Sequence, residues 1–89
     1  MSNFELLLAN SAIEEIEQLP DLSQSAIEEA IGRLLKNPIR SGTRLKGVGS
    51  KNRPLYTMRV GRYRVIYSVD RDLRRVTIVK LASRGILTI

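Results

Sequence analysis

The sequence predicts an α+β fold in one domain, residues 1–89: an N-terminal strand, then an antiparallel two-helix hairpin packed on one face of a four-stranded, mainly antiparallel sheet. Three observations lead there. Apolar residues recur at helical spacing in the first part of the chain and at a spacing of two after residue 40. Two Ser-x-x-Glu pairs stand at the helical stretches. Gly61-Arg62 separates two runs rich in Val, Ile, Thr and Tyr.

Residues 3–9 are short, apolar and bounded by polar residues, which suits a strand. Ser11 with Glu14 is a capping box opening a short helix whose Ile13, Ile16 and Leu19 share a face, and Pro20 ends it. A second box, Ser25 with Glu28, marks the start region of the next helix. Its stripe of Ala26, Ile27, Ala30, Ile31, Leu34 and Leu35 runs to Asn37-Pro38, which stops it.

Leu55 to Val60, Tyr63 to Val69 and Arg75 to Ser83 read as strands. A type II′ turn at Gly61-Arg62 sets Val60 opposite Tyr63, Met58 opposite Val65 and Tyr56 opposite Tyr67, all on the core side. The other side then holds Arg59 opposite Arg64, Thr57 opposite Ile66 and Leu55 opposite Ser68. In the last strand, Thr77, Val79 and Leu81 are expected toward the core. Ile78 and Lys80 are expected on the arginine side, with Arg84 just beyond on the same parity. Two directly opposed arginines cost up to about 1 kcal/mol. Either their tips splay into water or the pair is built to hold an anion.

Charge is divided along the chain. Residues 1–32 carry seven acids and no base, whereas residues 33–89 carry all fifteen Lys and Arg against Asp70 and Asp72, a net +13 within a chain of net +6. Such a field attracts polyanions, with phosphate backbones foremost, and the alternative is a solvated basic surface. The stretch Arg44 to Arg53, which includes Lys46 and Lys51, has Gly and Ser among its bases but no Walker pattern. It reads as a mobile basic loop at the sheet rim that either closes over a backbone phosphate or is a plain loop. With no Cys and no His, the chain lacks disulfides, thiolate metal sites and the usual base near neutral pH, and no metal or other cofactor is expected. The apolar run Phe4–Ala9 is too short to span a bilayer, so no membrane role is expected.

Leu45-Lys46-Gly47, the run Leu55 to Val69 with its Arg-Val-Gly-x-Tyr-Arg-Val-Ile-Tyr-Ser-Val core, and Leu81-Ala82-Ser83-Arg84-Gly85 together resemble the RelE/ParE superfamily of toxins over the full length, with RelE-type members the nearest likeness. The resemblance implies a small cytosolic ribonuclease that enters the ribosomal A site and cuts translated mRNA by 2′-OH attack, without a metal. It also implies a toxin of a type II toxin–antitoxin system held inactive in a complex with an acidic, RelB-like antitoxin. Residue by residue, Arg64 matches the arginine that contacts the reacting phosphate. Arg84 matches the proton donor to the 5′ leaving oxygen, and Arg59 occupies the position of a lysine that activates the 2′-OH. Lys46 matches a basic position that grips RNA; Lys51, Arg53 and Lys80 are the further RNA-binding candidates.

Against the family pattern, Arg59 and Thr57 stand where lysines are found, and the 89-residue sequence lacks the C-terminal tyrosine that stacks on the substrate base. A guanidinium is a poor general base. Two other readings therefore stand beside the nuclease: a ParE-like inhibitor of DNA gyrase without nuclease activity, and a catalytically weakened RNA- or ribosome-binding homologue.

Overall fold

The computed structural model describes residues 3–49 and 53–83. β1 (Glu5–Leu8) leads into helices α1 (Asn10–Glu17), α2 (Asp21–Leu34) and the single turn α3 (Pro38–Ser41). β2 (Thr43–Gly49), β3 (Pro54–Val60), β4 (Tyr63–Asp70) and β5 (Arg75–Ser83) follow. The strands form one five-stranded sheet in the order β1-β5-β4-β3-β2, with β1 parallel to β5 and the other pairs antiparallel.

The expected α+β class and helix–sheet layering are present, but the sheet has five strands instead of four. The added strand is β2, taken from the sequence as a loop. Its pairing to β3 shifts between Arg44 and Gly49, and Gly47 and Gly49 hold φ of 78° and 85°. That irregularity removes the strict alternation by which a strand is read.

The helix starts also differ from expectation. α1 opens at Asn10 behind Ala9, with no side-chain cap, because the Ser11 hydroxyl donates instead to the Val79 carbonyl at 3.2 Å. α2 begins at Asp21, four residues before Ser25, with Pro20 at its cap position and Asp21 favourably placed against the helix dipole. Gln24 Nε2 donates to the Glu17 and Leu19 carbonyls at 3.2 and 2.9 Å, satisfying polar groups that the end of α1 leaves open.

The core forms between one helical stripe and one sheet face. Ile27, Ile31 and Leu34 of α2, with Ala12 of α1, meet Tyr56, Val65, Tyr67, Val69, Val76, Ile78 and Leu81. Each fully buried aliphatic chain contributes about 1.5–3 kcal/mol. Tyr67 is fully buried; its ring stacks on Tyr56 at 5.5 Å and its hydroxyl donates to the Pro38 carbonyl at 2.8 Å. Burial first, and the Tyr56 phenol second, push the Tyr67 phenol above its ordinary pKa and keep it a donor. Gly42 lies so close that a Cβ there would collide with the Tyr67 hydroxyl and the Thr57 carbonyl oxygen.

The β3–β4 register is the expected one at all six positions, from Val60 opposite Tyr63 to Leu55 opposite Ser68. Gly61 has φ of 60°, and Arg74 is the one described non-glycine residue with positive φ, so Arg62 keeps negative φ and the turn is type II′. In β5 the expected parity holds at Lys80 and Leu81 and fails before them. Ile66 pairs with Lys80 and Tyr67 with Ile78, which leaves Val79 as an inserted residue. Ile78 therefore joins Val76 and Leu81 in the core, while Thr77, opposite Ser68, lies on the other face and Val79 is partly exposed.

The bulge sits where β1 ends and α1 takes over as the neighbour of β5. Ala9 N–H donates to the Ile78 carbonyl at 2.9 Å, and Leu81 N–H donates to Glu15 Oε1 at 2.9 Å. Two polar contacts of the core, Tyr67 to Pro38 and Leu81 to Glu15, carry expected costs. Tyr67→Phe strips the buried Pro38 carbonyl of this donor and lowers unfolding free energy by about 1–3 kcal/mol in denaturant melts. Glu15→Ala, which orphans the Leu81 N–H, lowers it by about 1–2 kcal/mol, and Glu15→Gln, which keeps an acceptor oxygen, restores most of that.

Candidate functional site

The sheet face opposite the helices carries the opposed pair Arg59 and Arg64, each exposed. Core packing of Met58 and Val65, one position away on the same strands, turns both arginines outward. Cross-strand partners have Cβ atoms about 4.5–5.5 Å apart, so the two guanidiniums can share one anion. On the far side of Arg64, its β5 partner is Ala82, whose methyl leaves that flank unobstructed. Ile66, two residues along β4, is 5% exposed and Ala82 is 4% exposed. They give the arginine pair an apolar floor, and anion pairing strengthens where water is thinned out beneath it. The Thr57 hydroxyl oxygen, on the same face opposite Ile66, is buried without a hydrogen-bond partner.

Lys80 joins this face as the partner of Ile66. Its Nζ is turned toward the sheet edge, 3.3 Å from Glu15 Oε2, so part of its charge is already balanced by α1. Glu15 was no part of the sequence expectation. Its pairing depends on α1 lying beside β5, a contact between residues 65 apart in the chain.

The remaining candidates do not gather here. Lys46 is exposed on β2, beyond Arg44 and farther from the β3–β4 turn. Arg53 precedes β3 and lies 3.9 Å from Asp70 at the opposite end of β4. Arg59 is six residues along from Arg53, about 20 Å at strand rise. Lys51 and Arg84 lie outside the described residues. The structure thus unites Arg59, Arg64 and Lys80 and separates Lys46 and Arg53 from them. Among the described residues no group of three or more Asp and Glu could hold a metal ion, and no helix is long and apolar enough to cross a membrane.

Comparison with known proteins narrows what such a face serves. Residues 6–87 match the family described as ParE toxin of type II toxin-antitoxin system, parDE. Toxin RelE of Mycobacterium tuberculosis (strain ATCC 25618 / H37Rv) is 30% identical over 83 residues, 92% of this chain and 82% of that protein. A chain of the archaeal RelE–RelB complex from Pyrococcus horikoshii OT3 matches with a TM-score of 0.82 at 26% identity, over 94% of this chain and 98% of that one. A chain of the toxin–antitoxin complex RelBE2 from M. tuberculosis matches with a TM-score of 0.81 at 26% identity, over 96% and 95%. With the family match spanning nearly all of the chain and an outward arginine pair on the sheet, this protein belongs to the RelE/ParE family of toxins of type II toxin–antitoxin systems.

Proposed function

We propose that this chain is a ribosome-dependent endoribonuclease that cuts translated mRNA in the cytoplasm and is restrained by an acidic, RelB-like antitoxin. The observation that carries the reading is the Arg59–Arg64 pair on an exposed face with an apolar floor. A fold maintained for packing alone gains nothing from opposed arginines, whereas an anion between them turns repulsion into two charge-assisted contacts. The likeness to Toxin RelE supports the same choice.

In the proposed reaction the ribose 2′-oxygen forms a bond to the adjacent phosphorus while the bond from phosphorus to the 5′ oxygen breaks. The products are a 2′,3′-cyclic phosphate and a 5′-hydroxyl. Arg64 and Arg59 hold the non-bridging oxygens as negative charge builds in the phosphorane, and stabilisation of this kind is commonly the largest catalytic term. The 2′-hydroxyl proton passes to water, because the Arg59 guanidinium is already protonated and has no site to accept it near neutral pH. Arg84 takes the role its resemblance implies and supplies the 5′ oxygen with a proton. Placement of mRNA by the ribosome provides in-line geometry.

The described family name also covers ParE, and a gyrase inhibitor is the second reading. Induction of the chain separates the two. Prompt arrest of translation with new mRNA 5′ ends supports the nuclease, and DNA breaks with continuing translation support the alternative.

Two substitutions test the site itself. Arg64→Ala abolishes growth arrest and mRNA cleavage while the circular dichroism spectrum stays native; full toxicity from a folded Arg64→Ala chain would overturn the assignment. Arg59→Lys supplies an amine able to act as a base and raises single-turnover cleavage of ribosome-bound mRNA toward the 10²–10⁴-fold or so that general bases contribute. An unchanged or lower rate would count against Arg59 standing at the 2′-OH.

A further inference from the structure

At the end of the sheet away from the arginine pair, and on its helix-bearing face, a cleft of about 710 Å³ opens between α3, β2, β3 and the β4–β5 turn. Ile39, Val69 and Leu73 give it an apolar lining, and Leu73 is 55% exposed. Arg44, Arg53 and Arg71 supply three cations around that lining against the two carboxylates of Asp70 and Asp72. The carboxylate of Asp70 is already engaged, with Oδ1 accepting from Leu73 N–H at 3.1 Å and Oδ2 lying 3.9 Å from Arg53 Nε. Among the described residues, neither Arg44 nor Arg71 makes an ion pair or side-chain hydrogen bond. The position of the cleft separates it from the candidate nuclease face. Arg44 pairs with Tyr56, whose ring belongs to the core side, whereas Arg59 and Arg64 project from the other side.

We infer that this cleft is a docking site for an extended acidic segment of a partner protein, in which a carboxylate pairs with Arg44 and Arg71 and a neighbouring aliphatic side chain covers Val69 and Leu73. Three features favour a peptide over a nucleic acid. The volume is that of a site for a few side chains, not of a groove that tracks a nucleic-acid backbone. The apolar part of the lining is aliphatic, while the aromatic Tyr56 is 7% exposed and stacked on Tyr67, leaving no free ring for a base. The cleft also borders β2, an edge strand of the sheet, along which an extended segment can lie. Guanidinium pairs bind carboxylates with fixed geometry, and aliphatic contact adds the specificity that charge alone lacks.

The inference rests on the reading that an acidic antitoxin covers this chain, and it names where one of its segments sits. The test uses the full-length chain and the protein encoded by the reading frame beside it, co-expressed and purified as a complex. The double reversal Arg44→Glu/Arg71→Glu should weaken that complex by about 10- to 100-fold in titration calorimetry, the loss set by charge-assisted contacts. Ribosome binding should be unchanged. A photo-crosslinking residue in place of Leu73 should capture the partner within the complex, which keeps the test decisive if the reversed chain folds poorly.

Unchanged partner affinity in the reversed chain would overturn this proposal alone, as would crosslinking from position 73 to ribosomal RNA with loss of ribosome binding. Failure of the unmodified chain to bind the adjacent-frame protein would refute the antitoxin reading and this docking site with it.

Discussion

The two-residue turn at Gly61-Arg62 is the constraint on which the other features depend. Side chains alternate along a strand, so one residue of slippage in β3 or β4 would exchange their faces. The type II′ geometry requires positive φ at the first central position, which glycine adopts without strain, and the following residue then begins β4 in a single register. That register sends Tyr56, Val65 and Tyr67 into the core and brings Arg59 and Arg64 together outside it. Core burial and site assembly are consequences of the same pairing. The repulsion between the arginines, about 1 kcal/mol at most, is small beside the burial it accompanies.

A second layer of organisation comes from the division of charge. α1 and α2 carry six of the nine acids, and most of the bases lie on the strands and connections, so opposite charges meet where α1 lies beside β5. Glu15 on α1 illustrates this, since one oxygen accepts the Leu81 amide while the other faces Lys80. Exposed pairs such as Arg33–Glu29, with side chains 65% and 77% exposed, contribute little stability. Most of the basic excess therefore remains outward-facing. The two proposed anionic ligands draw on it at separate places, a phosphodiester on the open sheet face and a carboxylate at the far cleft.

Arginine in place of lysine at position 59 changes what the face does best. Two guanidiniums over Ile66 and Ala82 hold and stabilise an anion but do not move a proton, so positioning and electrostatics carry the proposed chemistry. This division suits a substrate that the ribosome already presents in a defined path. The proposed reaction accordingly calls on no His, Cys or metal.

Local patterns in the sequence determined much of this protein. The helical stripe of α2, the hairpin register and the outward arginine pair follow from apolar spacing and one glycine, because each is specified by neighbours within a few residues. The resemblance to RelE/ParE toxins rested on those same strands. Tertiary structure decided the rest. Val76, Ile78, Val79 and Leu81 are apolar on both parities, so only the approach of α1 to β5 selected which of them enter the core and where the bulge falls. β2 became a strand because β3 offered it partners despite its glycines. The separation of Arg53 from Arg59, the neutralising of Lys80 by Glu15 and the cleft beside Arg44 and Arg71 all depend on residues distant in the chain being brought together, and no local pattern encodes such distances.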